Sequence, residues 1–388
     1  MRRIFLQIPG PSNIPETVLK AMANPPIDHR SQEFSLMLAE IKYGLMDLFQ
    51  ATNYEVGIFP GSGTGGMEAA IVNTLSPGAK VLCFNQGVFS ERFGFVAQDF
   101  GLDVRFVEIG WGQAISESLL YQELNTPFGR SLDALLVTHT ETSTGVTNNL
   151  AMVRRLLDEV ESKALLLVDA VSSLGITPIH SEEYGCDAVV AASQKGLMMP
   201  AGLTMVAFSR KAMNASINAG LPKSYWNINN MVARNSVGLM PYTPAINLLY
   251  ALHESLSMIA EETLPEMFHR HKLNAAAIRA ALSSMHLELL CVDANAHSNA
   301  VTCVRLPLGY DEAVLQEALA HYGLIVGGGL GRYQGKLLRI SHMGSLYESD
   351  VFAIVSILET VLYDLGMPLR LGDAVTASQE TYAKAYRT

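Results

Sequence analysis

At 388 residues the chain is long enough to bury a large core and to divide into two domains. Hydrophobic residues make up 49% and charged residues only 16%, which calls for either extensive internal burial or a large subunit interface, and an obligate oligomer is expected. A net charge of −10, without any basic run, argues against nucleic acid or an anionic membrane as partner, and no stretch is apolar enough to span a bilayer. The apolar run after Arg2 and Arg3 is too short for a secretion signal. Cys83, Cys186, Cys291 and Cys303 form no C-x-x-C pair and no disulfide framework, so buried free thiols and a reducing cytoplasm are expected.

Residues 1–17 contain Pro9, Pro11 and Pro15 and read as an extended arm lying on another surface, with the partner subunit as one candidate. From residue 18 onward, strands and helices alternate. Strands are predicted at 56–59, 80–84, 104–107, 134–138, 164–168, 188–192 and 203–209, and helices at 66–75, 89–100 and 149–160. The pattern predicts an α/β fold, a mainly parallel sheet between helices, with the last strand a candidate for antiparallel pairing because it follows its neighbour so soon. Residues 245–262 read as a long helix with Leu249, Leu252, Leu256 and Ile259 at helical spacing and Pro244 at its start. Segments 287–292, 300–305 and 337–340 look like strands of a second sheet. A last helix is expected to start near Ser349-Asp350, with Val351, Ile354, Leu358, Val361 and Leu365 on one face. The tail from Leu371 has weak periodicity. The expected division is an arm at 1–17, a large domain at 18–255 and a small C-terminal α+β domain at 256–388.

Two segments carry the chemistry. Asp169 closes the apolar run 164–168, and Lys195, in Ser193-Gln194-Lys195-Gly196, follows the run 188–192. Parallel α/β sheets bind ligands at the carboxyl ends of their strands, so the two side chains are expected at one crevice. A lysine facing a carboxylate suits pyridoxal 5′-phosphate: the lysine forms the Schiff base and the carboxylate keeps the pyridine nitrogen protonated. Solvated loop charges are the alternative for the pair taken alone. The turn Pro60-Gly61-Ser62-Gly63-Thr64-Gly65-Gly66 lies between a strand and a helix and supplies a phosphate cup, or else a tight connection. It lacks the Lys-Ser/Thr ending of a P-loop. Residues 138–145 bring hydroxyls after another strand, either to a cofactor crevice or as loop caps. Phe89 is a candidate to stack on a cofactor ring, or a core residue. Arg339 sits inside an apolar strand, where its guanidinium needs an anion: a substrate carboxylate, or an internal ion pair.

With these segments in order, the chain resembles class V, fold-type I aminotransferases, nearest the serine–glyoxylate, alanine–glyoxylate and aspartate–glyoxylate group. The likeness runs nearly end to end, through residues 9–15, 28–31, the glycine turn, 139–145, the Asp169 and Lys195 segments, 241–244, 327–331 and the Arg339 strand. It implies that Lys195 carries the cofactor and moves the substrate proton, and that Asp169 pairs with the ring nitrogen. It implies that Val171 and Phe89 cover the two ring faces and that Thr142 contacts the ring. Ser62, Gly63, Thr64 and Gln194 would hold the phosphate, with Thr243 contributed by the second subunit of a homodimer. Arg339 would bind the α-carboxylate of a small amino acid or 2-oxo acid. Two positions depart from the family's habit: Met240 stands where a tyrosine often reaches the partner's phosphate, a task open to Tyr242, and Phe89 stands where tryptophan is common. Arg30 and Arg332 are candidates for a second substrate carboxylate, or surface charges. A cysteine desulfurase-like lyase would need a mobile cysteine, which the strand-like settings of Cys291 and Cys303 oppose. A pyridoxamine–pyruvate type is opposed by the intact glycine turn, and a non-catalytic cofactor-binding protein by Lys195.

Overall fold

Apolar runs of five to seven residues alternate with amphipathic ones through the first half of the chain, and the computed structural model, which describes residues 4–387, turns them into strands and helices. In chain order these are β1 (Phe5–Gln7), α1 (Glu16–Met22), α2 (Gln32–Leu48), β2 (Glu55–Gly61), α3 (Gly63–Thr74), β3 (Lys80–Asn85), α4 (Val88–Asp99), β4 (Asp103–Glu108), α5 (Glu117–Leu124) and β5 (Ala134–Thr138). A two-stranded hairpin, β6 (Thr140–Glu141) and β7 (Val146–Thr147), precedes α6 (Leu150–Glu159), β8 (Leu165–Asp169), β9 (Ala188–Ala192) and β10 (Gly202–Phe208). Helices α7 (Arg210–Asn218), α8 (Ile228–Asn235), α9 (Ile246–Glu262) and α10 (Leu264–Ser284) lead to β11 (Val301–Arg305), α11 (Glu312–His321), β12 (Leu324–Gly328), β13 (Leu337–Ser341), α12 (Glu348–Asp364) and α13 (Asp373–Ala385).

The large sheet has seven strands in the order β2-β10-β9-β8-β5-β3-β4. Strands β4, β3, β5, β8 and β9 run parallel, and β10 is antiparallel to both neighbours, as its short connection predicts. Strands β5, β8 and β9 are buried along their whole length, which is why they read as unbroken apolar runs. Helix α3 lies tight against this sheet: a Cβ on Gly66 would come within 2.2 Å of Thr204 Oγ1 and 2.6 Å of Val190 Cγ1. The glycine turn therefore serves helix–sheet approach as well as any ligand.

The second sheet is built of β1-β12-β13-β11. Its core includes Leu282, Leu319, Leu338, Ile354 and Leu358. Three readings of the sequence change here. Residues 287–292 form no strand; a single bridge joins Leu289 to Val304, and the chain then leaves the sheet at Val292, which is 82% exposed. The cap of α12 is Tyr347 and not Ser349; Asp350 accepts the Tyr347 N–H at 3.2 Å from inside the first turn. The tail after Leu371 forms α13, whose buried positions are Ala374, Ser378 and Tyr382. Their spacing is helical, but small and polar side chains hide it from a hydropathy reading: Ser378 bonds the Ala277 carbonyl and Tyr382 bonds Asn274. The surface expected under the amino-terminal arm includes the second sheet of its own chain, where β1 pairs in parallel with β12, Phe5 opposite Leu324 and Gln7 opposite Val326.

Residue 256, the expected start of the small domain, falls within α9, whose face Leu249, Leu252, Leu256 and Ile259 belongs to the large core. We propose instead that the division falls at Thr263, which breaks α9 from α10 with a φ of 72°. Among the described residues, no helix is long and apolar enough to cross a membrane.

Candidate active site

A cavity of about 410 Å³ opens where the large sheet, the small sheet and the arm meet. Asp169 is the last residue of β8, with Thr138 of β5 and Val190 of β9 beside it in the ladder. Lys195 follows β9 by three residues. Both side chains line the cavity, together with Ser62, Gly63 and Thr64 at the start of α3 and Gln194. Ser193 shapes the turn that aims Lys195, donating to the Pro200 carbonyl at 2.7 Å and accepting from the Leu203 N–H at 3.2 Å.

The electrostatics follow from burial. Burial pushes the Asp169 carboxyl up to about 7, with the Glu141 charge adding to it and the Val171 N–H and Lys195 opposing. Burial, helped by the Arg339 charge, lowers Lys195 to about 8. Asp169 Oδ1 accepts the Val171 N–H at 2.9 Å. Val171 and Phe89 line the same cavity.

Arg339 reaches the cavity from the middle of β13, opposite Cys303 of β11 and Gly327 of β12. Its Nε donates to the Gly328 carbonyl at 2.6 Å, and among the described residues it makes no ion pair. Burial lowers its affinity for its proton. A buried guanidinium held by one backbone bond keeps its paired terminal donors for an anion in the cavity.

The sequence did not mark the arm as part of this site. Ile8, Pro9 and Gly10 line the cavity, and Lys195 Nζ donates to the Pro9 carbonyl. Ser12 ties the arm down, its N–H to the Gln194 carbonyl at 2.9 Å and its hydroxyl to the Lys195 carbonyl at 2.8 Å. Gly10 has a φ of +99°, a backbone conformation that favours glycine, and it passes close beside the Lys195 side chain. Arg92 was also missed. It lines the cavity and lies over the Phe89 ring, 5.0 Å from the centroid; the signal is its place three residues after Phe89 on one helix face.

Other candidates lie elsewhere. Thr142 is buried behind the wall, its hydroxyl 2.6 Å from that of Ser172, which does line the cavity. Thr243 is exposed and away from its own chain's cavity. Met240 is buried, 3.4 Å from Asn235 Nδ2. Tyr242 stacks on Tyr225, with 4.5 Å between ring centroids. Arg30 is exposed, and Arg332 lies over Trp111 near Glu108, so neither faces the cavity. No group of His, Cys, Asp and Glu side chains among the described residues is placed to hold a metal ion.

The donor set fits pyridoxal phosphate. The first-turn N–H groups of α3 and a Ser62 side chain without a cap bond offer donors for an anion at one end of the cavity, where Gln194 also lines it. A carboxylate and a lysine lie beyond it on the same wall.

A lysine and an aspartate at the carboxyl ends of neighbouring parallel strands, beside a glycine-rich helix start, define a fold-type I transferase. The chain belongs to the class-V aminotransferases: the family's sequence model, "Aminotransferase class-V", matches residues 4–340. It is 42% identical to an L-aspartate–glyoxylate aminotransferase of Paracoccus denitrificans over 97% of this chain and 95% of that one. It is 36% identical to a serine–glyoxylate aminotransferase of Methylorubrum extorquens over 97% and 95%. In structure it is similar to ureidoglycine–glyoxylate aminotransferase of Bacillus subtilis, with a TM-score of 0.92, 26% identity and 99% coverage of both chains.

Proposed function

We propose that the protein uses pyridoxal phosphate to transfer the amino group of a small amino acid to glyoxylate or a similar 2-oxo acid. The observation that supports this best is the convergence of Lys195, Asp169, Arg339 and the α3 start on one cavity. Bound pyridoxal phosphate supplies an aldehyde that carries the amino group and a ring that accepts electrons. Ser62, Gly63, Thr64 and Gln194 hold its phosphate, with Thr243 reaching across from the second chain of a homodimer. Val171 and Phe89 would cover the two ring faces, and Thr142 would contact the ring. Asp169 would pair with the ring nitrogen and favour its protonated form. Arg339 orients donor and acceptor alike by the α-carboxylate. Lys195 Nζ, lowered by burial toward neutrality, takes the proton from the donor Cα and returns one on the other side of the exchange. One site serving donor and acceptor in turn gives ping-pong kinetics.

The donor we assign is aspartate. Arg339 and Arg92 are two guanidiniums on one cavity, which suits a substrate with two carboxylates. The relative from Paracoccus is named for that donor. A panel of aspartate, serine and alanine against glyoxylate tests it, with Arg92→Leu expected to raise the KM for aspartate about tenfold or more and to leave alanine unchanged. Preference for serine or alanine sinks the aspartate assignment. Sedimentation of the active enzyme tests the dimer; a fully active monomer rules out sites shared through Thr243.

A lyase using a cysteine is disfavoured by the thiols themselves. Cys303 lies in β11, and burial pushes it up to about 12. Cys291 is buried as well and pushed up to about 11. All four cysteines are free and buried, which suits the cytoplasm we propose as the compartment.

A further inference from the structure

Glu141 is fully buried at the end of the β6 strand, and the roles given above do not use it. Its carboxylate accepts four hydrogen bonds. Oε2 takes the N–H of Phe89 at 3.0 Å and of Ser90 at 2.8 Å, while Oε1 takes the N–H of Ser143 at 3.0 Å and its hydroxyl at 2.6 Å. Four bonds match the lone-pair sites of a carboxylate, so the group is saturated.

The geometry is that of a clamp on a helix start. The first N–H groups of a helix have no partner within it, and its positive end favours an anion. At α4 the Val88 N–H goes to Ser143 Oγ at 3.1 Å, and the next two go to Glu141. The β6–β7 hairpin thus holds three consecutive donors of α4. Gly87 allows the approach: a Cβ there would lie 2.4 Å from the Glu141 carboxyl carbon. The clamped residues are those that present Phe89 to the cavity.

We infer that Glu141 is a positioning residue for the cofactor: through the start of α4 it fixes the Phe89 ring against the face it covers. This rests on the reading that Phe89 stacks on the bound ring. Glutamine in its place keeps the size of the side chain and sets an N–H₂ group against either the Phe89 and Ser90 N–H donors or the Ser143 N–H, so one side of the clamp loses at least one bond.

The experiment is a double-mutant cycle on the purified enzyme, reading the dissociation constant of pyridoxal phosphate and the absorbance band of the bound cofactor. Glu141→Gln is expected to weaken cofactor binding about tenfold, and Phe89→Leu by a similar factor, the scale of one aromatic contact. If the two act through one ring, the double variant is no weaker than about twofold beyond either single one. Ser143→Ala, which removes one bond to Glu141 and one to Val88, gives a smaller loss in the same direction and carries the cycle if Glu141→Gln does not fold. Phe89→Leu without effect overturns the stacking reading itself. A normal Phe89→Leu loss with additive effects, or a Glu141→Gln protein of lowered melting temperature and unchanged cofactor affinity and band, overturns only the role given to Glu141.

Discussion

The cavity has two walls built on different principles. The large-sheet wall carries Asp169 and Lys195, each just after a buried parallel strand, with the α3 and α4 starts beside them. Its chemistry is repetitive: a buried strand, then a polar residue at its carboxyl end. The facing wall is made by β12, β13 and the arm, and its one charged group is Arg339, with Gly327 and Pro9 beside it. There the sheet is mixed, and β1 comes from the opposite end of the chain. The contrast teaches a division of labour. The first wall offers two groups tuned by burial toward neutral pH, with Arg92 of α4 beside them, while the second offers Arg339, whose guanidinium stays charged and faces a carboxylate.

The largest break should come on the first wall. Lys195→Ala should bind pyridoxal phosphate yet lose transamination by about 10⁴-fold or more, since both proton transfer and covalent attachment go. Borohydride should fix the cofactor to the peptide bearing Lys195 in the unaltered enzyme, and label on another lysine would refute the assignment. Asp169→Asn should fold and lose on the order of 10²-fold in kcat, the scale of a major electrostatic contribution. Wild-type turnover in that variant would make Asp169 a structural cap.

The second wall should respond in binding. Arg339→Lys keeps the charge and loses the planar fork. It should cost kcat/KM roughly ten- to hundredfold for both donor and acceptor acids, with KM carrying the loss and the cofactor absorbance nearly unchanged. A variant that loses its cofactor while substrate KM is unaffected would move the substrate site elsewhere.

A gentler test uses pH on the apoprotein. His271 and His342, beside β13, are lowered by burial to about 3, and His139, behind Asp169, to about 4. Each is held neutral by its setting; His271 Nε2, for example, accepts the Gly344 N–H at 3.0 Å. Since an unfolded histidine titrates near 6.5, the unfolded chain binds more protons between about 4 and 6.5, and stability falls as pH falls through that window. Asp169 works in the opposite sense, because its raised value lets the folded chain hold a proton that the unfolded one releases. It offsets His139 on the first wall and leaves the two histidines near β13 uncompensated. Hydrogen exchange at pH 5 against pH 7 should show residues 264–285 and 299–346 losing protection before the large sheet. Uniform loss would mean that the two regions unfold as one unit.

What the residue order determined by itself was whatever depends on neighbours in the chain. The buried parallel strands announce themselves as continuous apolar runs because both faces are covered, so β5, β8 and β9 were legible to within a residue. Asp169 and Lys195 were legible for the same reason, as polar residues that end such runs, and Arg339 because a charge inside a strand needs an anion. The tertiary structure decided what depends on distant partners. The hydrogen bond from Lys195 to Pro9 spans 186 positions, and no local pattern marks a proline-rich arm as a wall of the site. Helix α13 was hidden because its buried face makes polar bonds where a hydropathy reading looks for apolar side chains. Glu141 reads as one polar residue among hydroxyls until the fold brings the start of α4, some fifty residues earlier, onto its two oxygens. Burial then turns a loop carboxylate into a clamp, because inside the protein those N–H donors have no water to turn to.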